Sequence, residues 1–229
     1  MFKKVVNKTD YKEENIFWIT MSDLLLGLMI IFLTLFIMSI VGYSQSKFAE
    51  KSAQISLAET MADKFSKNNV KVNVDKISGL VKISDLELFD TGSYKLSAKG
   101  KNYLDKFFPI YIDTIFSNSE ISNKVENIVI EGHTDSQMFK GLKSADEQYT
   151  KNLELSALRA NAVASYVFKT SYNKKYSDKL HKVLIVEGKS NTSPVIINGK
   201  EDLDKSRRVE LKIRMKSNSD KLEEIFFKK

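Results

Sequence analysis

The stretch FWITMSDLLLGLMIIFLTLFIMSIV, Phe17 to Val41, carries a single ionisable residue, Asp23. No charge interrupts it from Leu24 to Val41. At about 1.5 Å per residue this run and the turn before it cross a hydrocarbon core of roughly 30 Å. A helix of a soluble core is seldom apolar on all sides, so the segment reads as one membrane-spanning helix. An acid in such a helix costs about 2.5–3.5 kcal/mol at the bilayer centre and less toward the ends, so a retained one points to partners and a task, with ion transfer the default. Asp23, Gly27, Ile30, Thr34 and Met38 share one face at helical spacing. On that face Gly27 admits a close neighbour and Thr34 offers a hydrogen bond, so it suits protein better than lipid. The bland alternative keeps Asp23 wet among the headgroups, where it merely ends the helix.

Met1 to Asn15 hold Lys3, Lys4, Lys8 and Lys12 against Asp10, Glu13 and Glu14, whereas few positive charges directly follow Val41. The positive-inside tendency then keeps the N-terminus in the cytoplasm and exports the remainder, giving a single-pass protein of the bacterial inner membrane. Phe17, Trp18 and Tyr43 stand where interfacial aromatics belong. A cleaved signal peptide would need a shorter apolar region and a small-residue cleavage site, neither of which is evident around Ser39 to Ser44.

The chain has 229 residues and a net charge of +7, from 36 basic and 29 acidic residues spread along its length. That is room for the membrane segment and one compact domain. No dense basic tract interleaves with aromatics, so direct nucleic-acid binding is not indicated. The absence of cysteine removes disulfides, thiolate metal sites, a thiol nucleophile and a lipoprotein anchor.

Residues 42–69 are polar and helix-compatible. Phe48, Ile55, Ala58, Ala62 and Phe65 form a weak heptad stripe, fitting either a short pairing segment or a solvated linker. Beyond Asn69, strands alternate with helices. Val70–Val74 and Leu80–Ile83 suit a hairpin around Ser78-Gly79. Ser97–Phe108 reads as a helix with Ser97 as N-cap and Pro109 near its end, although apolar residues continue to Phe116. Asn127–Gly132 is a buried strand delivering His133, Thr134, Asp135 and Ser136 to its C-terminal edge. Residues 137–151 read as a long polar connection, and Asn152 opens a helix to Lys169 with Leu155, Leu158, Ala162 and Tyr166 near one face. A basic loop over 170–182, a strand over 183–187, a loop over 188–205 and the alternating strand Val209–Met215 follow, then a charged tail over 216–229.

Phe89-Asp90-Thr91-Gly92-Ser93 before Leu96 and Gly100, Ile130-Glu131-Gly132-His133-Thr134-Asp135, Asn152 with Leu155-Ser156 and Arg159-Ala160, and Arg207-Arg208-Val209-Glu210 come in an order that resembles the OmpA-like peptidoglycan-binding domain. The resemblance covers about residues 70–215. It implies an α+β fold, a βαβαββ arrangement with helices on a mixed sheet, and binding to the peptide stem of peptidoglycan. A stem containing diaminopimelate offers an ammonium and carboxylates, which suit one anionic side chain and one guanidinium at a fixed separation. By match to the family, Phe89 and Asp90 line the site, Asp135 takes the amine, Leu155 packs on the stem and Arg159 binds a carboxylate. Asn152 orients the helix start or touches the ligand. The sequence departs from the family in the long Asp135-to-Asn152 connection and in Ser206, which stands where asparagine is common. His133 belongs to the motif as a packing or locally hydrogen-bonded residue.

No enzyme is expected. Gly188-Lys189-Ser190 has the end of a phosphate-binding loop, but Val183 occupies the position of the required upstream glycine. His133 and His181 are too few for a histidine-rich metal site, and no serine-hydrolase elbow occurs. A membrane helix with one acid, a helical connector and a wall-binding domain together resemble a MotB-type stator subunit. That implies a homodimer, a MotA-like channel partner, and a proton or sodium ion carried by Asp23 with no resident cofactor. The Ser22-Asp23-Leu24 entry, Gly27-Leu28-Met29, Phe32 and the small size look most like the stator-like subunits of Zorya anti-phage systems. Flagellar stator subunits and a passive wall tether are the alternatives.

Overall fold

The computed structural model describes residues 8–90, 92–142 and 144–216, with side chains from Ile16 onward. Most of the cytoplasmic segment expected over 1–16, and all but Lys216 of the tail expected over 216–229, lie outside the described side chains. The chain divides into two units, Met1–Ala49 and Glu50–Lys229.

The described part of the first unit is helical throughout, the beginning of α1, Lys8–Lys67. From Ile16 to Val41 its side chains are exposed around the whole circumference. By length and composition it is the one helix among the described residues suited to cross a membrane. Its hydroxyls turn inward onto their own helix: Thr20 bonds the Phe17 carbonyl, Ser22 that of Trp18 and Thr34 that of Ile31. A hydroxyl satisfied this way carries little cost in lipid.

The last turns of α1 belong to the second unit. Leu57, Ala58, Met61 and Phe65 are buried, and Phe65 stacks on Phe107 with ring centroids 5.0 Å apart. Of the stripe expected to pair two chains or to be solvated, Ala58 and Phe65 therefore pack on their own domain, with Leu57 and Met61 from outside the stripe beside them. The connector expected over 42–69 gives up its C-terminal part to the globular unit for the same reason: these side chains fill a core.

That core lies between helices and a five-stranded sheet. The strands are β1 (Asn73–Val74), β2 (Val81–Ser84), β3 (Val125–His133), β4 (Leu184–Gly188) and, last in the chain, β7 (Arg208–Met215), in spatial order β1-β2-β7-β3-β4. β3 and β4 are parallel, whereas β7 runs antiparallel to both β2 and β3. The sheet is thus mixed, as the family resemblance implies. The hairpin joining β1 to β2 turns on Asp75, whose Oδ1 accepts from the backbone of Ile77 and Ser78. Alternation along β3 and β7 puts Ile128, Ile130, Val209, Leu211 and Ile213 into the core and sends Glu131, His133, Glu210 and Lys212 to the other face.

The helices are α2 (Asp85–Leu88), α3 (Ala98–Phe116), α4 (Ser119–Lys124), α5 (Ala145–Val167), α6 (Ser177–Val183) and α7 (Leu203–Ser206). Ser97 caps α3 by accepting from Gly100, as expected. The helix does not stop at Pro109, however. Proline withholds a hydrogen bond from the carbonyl four residues back, at about 3 kcal/mol. Ending there would leave Tyr111, Ile112, Ile115 and Phe116 outside the core, where they are now buried. At about 1.5–3 kcal/mol per buried side chain, their burial outweighs the proline.

The helix expected from Asn152 starts seven residues earlier. Ser144 and Glu147 form a capping box, each side chain bonding the other's backbone N–H region. Much of the supposed long connection is therefore the first turns of α5. The basic loop over 170–182 likewise contains a 3-10 turn at Lys174–Tyr176 followed by α6. The loop over 188–205 holds a small hairpin, β5 (Ile196–Ile197) with β6 (Lys200–Glu201), and the start of α7.

α5 lies so close to β3 that Gly132 has no room for a side chain: a Cβ there would sit 2.0 Å from the Ser156 carbonyl oxygen. The obstacle is backbone and cannot swing aside. Gly132→Ala should destabilise the globular unit by about 3 kcal/mol, at the upper end of ordinary overpacking, read as a lower melting temperature of its thermal transition.

Candidate functional site

The end of β3, the start of α2, the inner face of α5 and the α7–β7 junction surround a cleft of about 620 Å³. Its lining includes Asp85, Asp135, Asn152, Leu155, Arg159 and Arg207. Asp135 follows directly on β3, and its Oδ1 accepts from the backbone of Gln137. Asn152 and Arg159 are two helical turns apart on α5, so both face the cleft. Gln148, one turn before Asn152, fixes the connecting loop through paired bonds with the backbone of Phe139.

Of the residues the sequence puts forward, Asp135, Asn152, Leu155 and Arg159 meet in this cleft. Asn152 is not at a helix start; it is buried two turns into α5, and its role as helix opener passes to Ser144. Phe89 is a core residue, 3% exposed, lying beneath the Arg159 guanidinium at 5.5 Å from the ring centroid. Asp90 is exposed and is not among the lining residues. The acid facing the cleft from this region is Asp85, which lies outside the block, four residues before Phe89. The helical turn of α2 accounts for the difference, carrying Asp85 inward and leaving Asp90 beyond the helix end.

Asp85 and Arg159 form a buried ion pair at 3.0 Å, with side chains 5% and 2% exposed. Arg159 also donates from Nε to the Ser93 carbonyl. Burial pushes the Asp85 carboxyl up to about 6, against the pull of the Arg159 and Arg207 guanidinia. Burial also lowers the Arg159 pKa, opposed by Asp85. A second pair crosses the cleft: Arg207 holds Asp135 through Nη1 and Asp204 through Nη2. Glu201, on the small hairpin, accepts from the backbone and hydroxyl of Ser136, so the hairpin is fastened to the rim.

Ser206 accepts from the backbone N–H of Val195 and is fully buried, a loop-fixing role that a short hydroxyl fills. Gly188-Lys189-Ser190 is structural as well. The Lys189 N–H bonds Gly132, the Ser190 carbonyl accepts from Thr134 and the Ser190 N–H reaches the Ser156 hydroxyl.

On the opposite face of the sheet, His133 Nε2 lies 3.5 Å from Glu131 and 3.6 Å from Glu210. These three side chains are buried, and their nearest ligand atoms lie within 4.8 Å of one another. Lys212 already pairs with Glu131 at 2.6 Å, Arg208 with Glu210 at 2.6 Å, and Lys189 approaches Glu131 at 3.7 Å. A divalent ion would enter a cluster whose carboxylates are neutralised, so the donor set suits an internal ion network better than a metal.

Burial disfavours the ionised forms of Glu131 and Glu210, yet His133 with Lys212 in one case, and His133 with Arg208 in the other, hold both carboxyls at about 2. These lie below an unfolded-chain glutamate, so the stability they confer is complete above about pH 4.5 and is lost as the pH falls toward 2. Asp85, raised instead, contributes most below about pH 4 and less as the pH climbs to 6. Denaturation midpoints of the globular unit should fall steeply from pH 4.5 toward 2, and Glu131→Gln should flatten that acid limb.

Residues 88–208 match the OmpA family. The Zorya protein ZorB of Escherichia coli strain Crooks is 30% identical over 212 residues, covering 88% of this chain and 88% of that protein. The Zorya protein ZorB of Escherichia coli O139:H28 strain E24377A is 28% identical over 231 residues, 93% of this chain and 87% of that protein. A MotB-like protein of Desulfovibrio vulgaris shares the fold, with a TM-score of 0.50 and 21% identity over 73% of this chain and 94% of that one. With the motif blocks assembled around one cleft and a ZorB relative matching almost from end to end, the chain belongs to the ZorB family of Zorya proteins, and its globular unit to the OmpA family.

Proposed function

We propose that this chain is the stator-like subunit of an ion-driven inner-membrane complex of anti-phage defence, anchored to peptidoglycan through its OmpA-family domain. The observation that carries the reading is the cleft in which Asp135 and Arg159 lie with Asn152 and Leu155, on a chain that also holds a membrane-length helix with a single acid. Asp135 receives the ammonium of a diaminopimelate stem, Arg159 a carboxylate, Leu155 packs on the aliphatic part and the Asn152 amide hydrogen-bonds the peptide. Phe89 serves from behind, as a flat support under Arg159.

In the membrane, Asp23 accepts and releases a proton or sodium ion. Among the described residues nothing meets its carboxylate, which leaves it for a MotA-like channel partner. Gly27, whose Cβ position is open, is the place for the sister helix of a second copy or for that partner. The orientation follows the lysines at the start of the chain, with the N-terminus cytoplasmic and the wall-binding domain outside.

Asp135→Asn tests the wall-binding half with little disturbance of shape. A hydrogen bond to a charged group contributes about 1.5–3 kcal/mol, so full-length protein in detergent should bind purified sacculi roughly 10- to 100-fold more weakly. Undiminished pull-down would remove Asp135 from the site.

A further inference from the structure

Arg207 stands where the proposed ligand's ammonium has to go. Its guanidinium is split between two acids, Nη1 on Asp135 and Nη2 on Asp204, so the carboxylate assigned to the stem amine already has a cation from its own chain. The two arginines of the cleft are held very differently. Arg159 is 2% exposed and fixed by Asp85, the Ser93 carbonyl and the Phe89 ring. Arg207 is 24% exposed, and its second partner, Asp204, is 71% exposed.

The backbone at Arg207 is secured independently of its side chain. Its N–H bonds the Leu203 carbonyl, and its own carbonyl accepts from Asp85. A change of partner by the guanidinium therefore does not require the backbone to move. Leaving Asp135 would forfeit one charge-assisted bond and keep the other on Asp204. The surroundings welcome a replacement cation: Asp85, Asp135, Glu201, Asp202 and Asp204 line the cleft against Arg159 and Arg207.

Resting on the reading of the cleft as a stem-peptide site, we propose that Arg207 is an internal stand-in for the ligand's ammonium. Binding at Asp135 is then an exchange of cations, with Arg207 falling back on Asp204. Arg207 and Asp204 are positioning residues: they set how readily Asp135 becomes available and do not themselves recognise the stem.

The full chain in lipid nanodiscs, titrated with a soluble diaminopimelate-containing muropeptide, gives the test. Arg207→Gln removes the competitor and should bind about 3- to 10-fold more tightly, as expected for losing a close like charge. Asp204→Asn removes the fallback and should bind about 3-fold more weakly. A purely structural role would weaken both variants, so the opposite signs are diagnostic. Arg207→Lys, whose compact ammonium cannot span both acids, should lie between wild type and Arg207→Gln, and it decides the matter if Arg207→Gln fails to fold. Unchanged or weaker binding by a folded Arg207 variant overturns the exchange. In the same assay, loss of binding by a folded Asp85→Leu, Arg159→Met double variant, which removes the buried pair as a whole, keeps the stem-peptide reading even then, whereas full binding by it rejects that reading itself.

Discussion

Asp23→Asn is expected to abolish protection against phage, down to the level of cells lacking the protein, with the variant still made and inserted. Asparagine keeps the shape and hydrogen-bonding reach of aspartate but neither gains nor loses a proton and carries no charge to attract sodium. Each elementary charge moved across 100 mV releases about 2.3 kcal/mol, and that energy does work only if a partner's fit to the residue differs between its charged and neutral forms. A permanently neutral side chain abolishes the difference. Insertion should not suffer, because removing a charge from a membrane helix saves up to about 2.5–3.5 kcal/mol. Thr20, Ser22 and Thr34 offer no substitute, since their hydroxyls are occupied by carbonyls of their own helix. Efficiency of plating, with membrane fractions blotted for the protein, is the measurement. Protection at wild-type strength would leave the helix as an anchor and the chain as a passive tether.

Arg159→Ala should both abolish binding to sacculi and loosen the fold. The guanidinium is buried against Asp85 at 3.0 Å, and removing one partner of a buried pair typically costs about 3–5 kcal/mol because the other charge is left unpaired. Asp85 softens the penalty by taking a proton, since burial has already pushed its carboxyl up to about 6. A single variant therefore mixes two effects. Replacing both members, Asp85→Leu with Arg159→Met, separates them: apolar residues of similar volume commonly match or exceed a buried pair in stability. The double variant should recover most of the melting temperature lost by Arg159→Ala, yet still fail to bind sacculi. Restored binding together with restored stability would assign Arg159 to packing alone.

The elements that the sequence reveals well are those with local causes. Val209–Met215 alternates apolar and polar residues, and the strand forms in that phase. Ser97 precedes Gly100 by the spacing of a cap, and it caps. The start of α5 was equally legible in Ser144-x-x-Glu147, a capping box, but the amide of Asn152 is a plausible cap too, and local propensity does not rank the two. Pro109 misleads because its local cost is opposed by the burial of residues downstream, which only the assembled core supplies. The same holds for Ala58 and Phe65. Their spacing fits a pairing helix, and only the presence of Phe107 beside Phe65 makes that end of the stripe core.

By itself the sequence determined the membrane-length run with its lone acid, the order of the motif blocks and the candidates Asp135, Asn152, Leu155 and Arg159. Each of these is a property of neighbouring residues or of a linear pattern. The tertiary structure alone decided which charges meet. Asp85 faces the cleft and Asp90 does not, Phe89 went beneath Arg159, and Arg207 reached Asp135 across a separation of 72 residues. Ion pairing falls off over a few ångströms and depends on burial, so its partners are fixed only when the sheet and helices have brought distant segments together.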